Sequence, residues 1–138
     1  MKTIALLVNK GTMPMMSFSL KGFEKIVDIR YVKDVAQLMQ VFSMQQECCM
    51  AILETKINET LITDSLPEIR KKFENVKLLL IDSGDIAQEQ IIELIRTHMC
   101  HSVVLKPFTA QKISDNIYTL CGFPKPSKSW YEHTKKIN

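Results

Sequence analysis

Glu54, Asp82, Lys10 and Lys106 each stand where a short apolar run of the chain stops. Residues 3–8 lead into Asn9-Lys10-Gly11, residues 48–53 into Glu54-Thr55-Lys56, residues 76–81 into Asp82-Ser83-Gly84, and residues 102–105 into Lys106-Pro107-Phe108. If these runs are parallel strands, their carboxyl ends lie along one sheet edge, where open α/β sheets place their sites. Two carboxylates and two ammonium groups there could form one closed polar network. Exposed pairs of that kind contribute only about 0–1 kcal/mol each, so four unrelated charges at strand ends is the plainer alternative.

Other residues with reactive atoms carry less. Cys48-Cys49 lies in an apolar run, where cysteine is usually a small inert hydrophobe. His98-Met99-Cys100-His101 has metal-capable atoms without the spacing of a known zinc pattern. Met13, Met15 and Met16 read chiefly as core filling, with an adaptable binding surface as the alternative. Only Gly11 lies near the end of the first run, with no G-x-G-x-x-G or Walker pattern. A flavodoxin-like nucleotide or small-molecule binder, which needs a phosphate-cradling loop, is therefore a weak reading. No cofactor is expected.

The elements that position these residues follow from periodicity. Residues 3–8, 24–32, 48–53, 76–81 and 102–105 read as strands, the last expected to be covered on both faces. Pro107 ends the last strand, having no N–H for a ladder. Between strands lie helical patterns. Residues 13–22 form a short one, with Thr12 as N-cap and Pro14 in the first turn. Asp34 caps a helix whose stripe is Val35, Leu38, Met39 and Phe42. Residues 55–64 read as a loop. Ser65-Leu66-Pro67-Glu68 is a capping-box pattern that starts a helix running to about Glu74, with Leu66, Ile69 and Phe73 inward. Asp85 caps a helix with Ile91 or Ile92, Ile95 and Met99 facing the core. Thr109 caps the last helix, through Ile113, Ile117 and Leu120, which Gly122 ends. Five strands alternating with five helices give an α/β fold: a doubly wound, flavodoxin-like five-stranded parallel sheet with helices on both faces.

At 138 residues the chain suits one domain, and 46% apolar with 24% charged residues is ordinary for a globular protein. No apolar run approaches the roughly 18 residues of a membrane span, and the N-terminal run lacks a signal-peptide cleavage site. Four cysteines without a framework spacing point to a reducing, cytoplasmic setting. The net charge of +3 resides in Lys125, Lys128, Lys135 and Lys136 against Glu132, so the body is neutral and a whole-domain nucleic-acid surface is not expected. Residues 1–122 read as the domain and 123–138 as a basic tail or linker. Trp130-Tyr131 there could pack back or anchor a partner.

Lys106-Pro107-Phe108 after an apolar strand, followed by Thr109, Ala110 and a helix, resembles the end of a response-regulator receiver domain of the chemotaxis type. The strand–helix alternation and the separations from Lys10 to Glu54 and from Glu54 to Lys106 are similar to that family's, over residues 3–122. Receivers hold a divalent cation with two acids after strand one and phosphorylate an aspartate after strand three. A small hydroxyl residue follows strand four, and a lysine after strand five contacts the phosphate. By position these roles fall on Asn9 and Lys10, Glu54, Asp82 or Ser83, and Lys106.

The departures undermine phosphotransfer. Lys10 brings positive charge where a hard cation needs oxygen ligands. Glu54 is one methylene longer than aspartate, in a site that depends on positioning. Asp82 opposes an incoming phosphate, unless Ser83 is the true equivalent. The resemblance thus implies a degenerate receiver, not an enzyme, that binds a kinase, phosphotransfer or output protein. A homodimer through the fourth helix, fifth strand and fifth helix is a further expectation; Val103 stands where many receivers have a switching aromatic. A working response regulator with an atypical site is the alternative.

Overall fold

The computed structural model describes residues 1–44 and 47–125. In chain order the described residues form β1 (Lys2–Leu7), α1 (Met13–Ser19), β2 (Val27–Tyr31), α2 (Val35–Met44), β3 (Cys48–Glu54), β4 (Lys56–Ile57), β5 (Thr60–Leu61), α3 (Leu66–Lys72), β6 (Lys77–Asp82), α4 (Gln88–Arg96), β7 (Ser102–Leu105) and α5 (Ala110–Cys121). Trp130 and Tyr131 lie outside the described residues.

Five strands form one parallel sheet in the order β2-β1-β3-β6-β7. This is the doubly wound α/β arrangement expected from the alternation of short apolar runs and amphipathic helices. Side chains alternate across each strand, and both faces are filled. On one face Ala5, Leu7, Leu53 and Leu80 meet Leu38 and Phe42 of α2 and Leu66 and Ile69 of α3. On the other, Ile4, Leu6, Ile52, Leu79 and Ile81 meet Met16 of α1 and Ile113 and Ile117 of α5. Burying each of the larger side chains contributes about 1.5–3 kcal/mol, which explains why the centres of β1, β3 and β6, residues 4–7, 48–53 and 78–81, read as apolar runs.

Several local expectations need correction. β7 is an edge strand, so it is only partly covered, and Leu105 is exposed. α4 buries no residue fully: Ile92 and Ile95 face solvent, while Leu94 and Met99 pack against the core. Of the three methionines near α1, Met16 is in the core and Met15 is exposed. α1 stops at Ser19, whose hydroxyl donates to the Met15 carbonyl, and a 3-10 turn over Lys21–Phe23 follows. Such back-bonding weakens a helix. β2 starts only at Val27, because a turn closed by the Ile26 N–H on the Phe23 carbonyl precedes it.

Residues 55–64 are a hairpin rather than a plain loop. β4 and β5 pair antiparallel, and Asn58 and Glu59 between them have φ of 47° and 70°. Two successive positive φ values characterise the turn that matches strand twist in two-residue hairpins.

Asp34 and Thr109 cap their helices as expected, accepting from the N–H of Gln37 and Lys112, and Gly122 ends α5 in the left-handed region. The other three proposed caps do not. Thr12 and Ser65 have helical backbone angles and no side-chain cap bond, whereas an N-cap needs an extended backbone to aim its oxygen. A 3-10 turn over Ile62–Ser65 precedes α3 instead, and Leu66 N–H goes to the Thr63 carbonyl. Asp85 is too early, since α4 begins at Gln88.

Candidate functional site

Because β1, β3, β6 and β7 run parallel, their carboxyl ends open onto one edge. The register aligns Leu7 with Leu53, Glu54 with Ile81, and Asp82 with Leu105. Asn9, Glu54, Lys56, Asn58, Glu59, Ser83, Asp85 and Lys106 surround an open depression there of about 380 Å³.

Glu54 is the last residue of β3 and is 3% exposed. Its Oε1 accepts the Asn9 backbone N–H at 2.7 Å, and its Oε2 accepts Lys106 Nζ at 2.8 Å. Lys106 Nζ also donates to Thr12 Oγ1 at 2.6 Å. Burial disfavours the charged carboxylate. The donors Lys106, Thr12 and Asn9 outweigh it and hold the Glu54 carboxyl below its ordinary range. Each Glu54 oxygen thus has a donor, one of them a fixed backbone group.

The remaining candidates are placed differently. Lys10 is exposed and makes no ion pair among the described residues, so the four-charge network is reduced to one pair. Lys10 lies in the turn at 9–12, where Thr12 N–H bonds the Asn9 carbonyl. Asp82 ends β6 inside the strand and is 1% exposed. Its Oδ1 accepts the Thr55 hydroxyl at 2.8 Å and the Asp85 N–H at 3.1 Å, while its Oδ2 has no protein partner. The Asp82 carboxylate is therefore tied to Thr55 and Asp85; its link to Lys106 is through the backbone, the Lys106 N–H donating to the Asp82 carbonyl at 2.9 Å. Ser83 is exposed and lines the depression. Asn9 turns its amide to the Lys56 carbonyl at 2.9 Å.

Thr12 and Thr55 are the functional side chains that sequence reasoning left out. Both are buried hydroxyls that satisfy site charges. Their position just beyond strand ends was the available signal, although Thr12 there also fitted a helix cap.

The residues present do not fit the divalent cation of a receiver. A hard cation takes several oxygen ligands. The positions expected for the paired acids, Asn9 and Lys10, hold an amide bonded to Lys56 and an exposed lysine, and Glu54 is already engaged by an ammonium group. Among the described residues no three His, Cys, Asp or Glu side chains converge to hold a metal ion. Nucleophilic attack by Glu54 would likewise require breaking the bonds that hold its oxygens in place.

No protein-family model matches the sequence, and no curated protein matches it either. Solved structures do match by shape. A response regulator receiver domain protein from Clostridium thermocellum superposes with a TM-score of 0.72 at 17% identity, over 88% of this chain and 95% of that one. The receiver domain of the Francisella response regulator 1452 gives 0.71 at 14% identity, over 91% and 100%. An orphan response regulator of H. pylori gives 0.68 at 11% identity, over 87% and 96%. In its strand order, its helices and its overall backbone, this chain has the fold of a response-regulator receiver domain.

Proposed function

We propose that the chain is a signalling module of two-component type that binds a protein partner and has lost aspartyl phosphorylation. The observation that carries this is the Glu54–Lys106 ion pair of 2.8 Å, with Glu54 buried and its other oxygen on the Asn9 N–H. A carboxylate one methylene longer than aspartate stands at the expected phosphoacceptor position, and the lysine is already bonded to it. The site is thereby held in one state, and the surfaces around it remain for a kinase, phosphotransfer or output protein.

No helix among the described residues is long and apolar enough to cross a membrane. Ile92 and Ile95 of α4 and Leu105 of β7 are exposed apolar side chains on successive elements. They support self-association through α4, β7 and α5 as a second binding mode. Phe123 packs on the core and Lys125 pairs with Asp115, so the basic segment 123–138 begins against the domain.

The test is incubation with acetyl phosphate, or beryllofluoride, and magnesium. Mass and amide NMR spectrum should stay unchanged. A stable, stoichiometric mass gain mapped to Glu54, Asp82 or Asp85 would favour a working regulator with an atypical site.

A further inference from the structure

Away from the site, β3 and the end of α5 bring two thiols together. Cys49 Sγ lies 2.8 Å from Cys121 Sγ. Cys49 is half-buried on β3, and Cys121 is the last residue of α5, capped by Gly122. Lys2 Nζ donates to the Cys121 carbonyl at 2.9 Å, which places a cation beside the pair. Strand alternation separates the neighbouring cysteine: Cys48 belongs to the opposite face of the sheet, with Cys100, while Cys49 packs on the face that holds Cys121.

We propose that Cys49 and Cys121 are a reversible redox pair, oxidised by a peroxide to a disulfide that staples the end of α5 to β3. The hydrogen bond from Cys121 draws the Cys49 thiol downward against burial, and Lys2 adds to this. The same bond, with burial, pushes Cys121 up, making it the proton holder. Burial pushes Cys48 and Cys100 up to about 11, so they are poor nucleophiles. In the reducing setting expected from the cysteine pattern, a disulfide of this kind is transient and sensory rather than structural.

The chemistry balances with one peroxide. Cys49 thiolate attacks a peroxide oxygen; an S–O bond forms, the O–O bond breaks, and the leaving hydroxide takes a proton to become water. Cys121 sulfur then attacks the sulfenic sulfur. The S–S bond forms, the S–O bond breaks, and the hydroxide leaves with the Cys121 proton as a second water. Two thiols are oxidised and one peroxide is reduced.

The full chain is treated with hydrogen peroxide, the excess is removed, thiols are counted in denaturant and peptides are mapped. Two of the four thiols should disappear, one linked peptide should join Cys49 to Cys121, and dithiothreitol should restore both. Cys121→Ser should leave Cys49 as a sulfenic acid trapped by dimedone, and Cys49→Ser should give neither product. The oxidised chain should melt at a higher temperature than the reduced one. Four intact thiols, a bond to Cys48 or Cys100, or only chain-to-chain linkage overturns the proposal. The map of the unmutated chain decides this even if a variant fails to fold. A mapped Cys49–Cys121 bond that lowers the melting temperature overturns the stapling role.

Discussion

Glu54 and Lys106 sit 52 positions apart in the chain and 2.8 Å apart in space, with side chains 4% and 30% exposed. Removing one charge of a mostly buried pair leaves the other poorly compensated. Glu54→Gln keeps the shape and removes the charge, so it should lower stability by about 1–3 kcal/mol, toward the lower end because Lys106 reaches water. Lys106→Met in the same chain should restore part of the loss. Denaturant midpoints of the two single variants and the double variant give the coupling. Additivity within about 0.3–0.5 kcal/mol would show that the residues are not coupled.

The pair also sets a pH dependence. Since the folded carboxyl of Glu54 is held below its ordinary value, the unfolded chain binds the proton first. The stabilisation is therefore fully present above the unfolded value of about pH 4.3 and is lost as pH falls through the lower, folded value. Urea midpoints measured on the two sides of that window should fall more for the unmutated chain than for Glu54→Gln. Equal falls would mean that Glu54 has no folded-state shift.

The central strands were readable because each is covered on both faces, so 48–53 and 78–81 are continuous apolar runs whatever their neighbours. β7 has the same composition, but its place at the sheet edge depends on strand order, which no local pattern carries. Asp34 and Thr109 were readable as caps because their partners lie three residues away. Thr12 was not, because its partner is Lys106, 94 positions on. The meeting of Glu54 and Lys106 follows from parallel strands ending on one edge. The exposure of Lys10 depends on the conformation of a short turn and was not legible.

Thr12 can be tested as a site residue rather than a cap. It is 5% exposed, and its hydroxyl accepts Lys106 Nζ at 2.6 Å. Thr12→Val should lower stability by about 0.5–1.5 kcal/mol through the lost hydrogen bond, and Thr12→Ser should lose less. In a Lys106→Met background the effect of Thr12→Val should shrink. An unchanged effect there would assign the hydroxyl to the helix end, contrary to the geometry.

The exposed apolar residues on α4 and β7 carry a prediction about assembly. Sedimentation should show reversible self-association of the unmutated chain, and Ile92→Glu with Leu105→Glu should abolish it. Adding a phosphoryl donor should not change the association, because Val103 lacks the aromatic ring that many receivers reorient. A monomer at every accessible concentration would remove the dimer.

Glu59 offers a gain in stability at the rim of the site. Its φ of 70° lies in the left-handed region, which disfavours a residue with a Cβ by about 1–2 kcal/mol. Glycine relieves this, at an entropic loss of about 0.5–1 kcal/mol in the unfolded chain. The Lys56–Glu59 ion pair, 3.4 Å long with Glu59 92% exposed, adds little. Glu59→Gly should therefore raise stability by up to about 1 kcal/mol, whereas Glu59→Ala keeps the backbone strain and should gain nothing. The hairpin lines the same depression as Glu54 and Lys106 but bonds neither of them. The Glu54–Lys106 coupling should accordingly be the same with and without Glu59→Gly. If the glycine variant is no more stable than the alanine variant, the turn is not strained at Glu59.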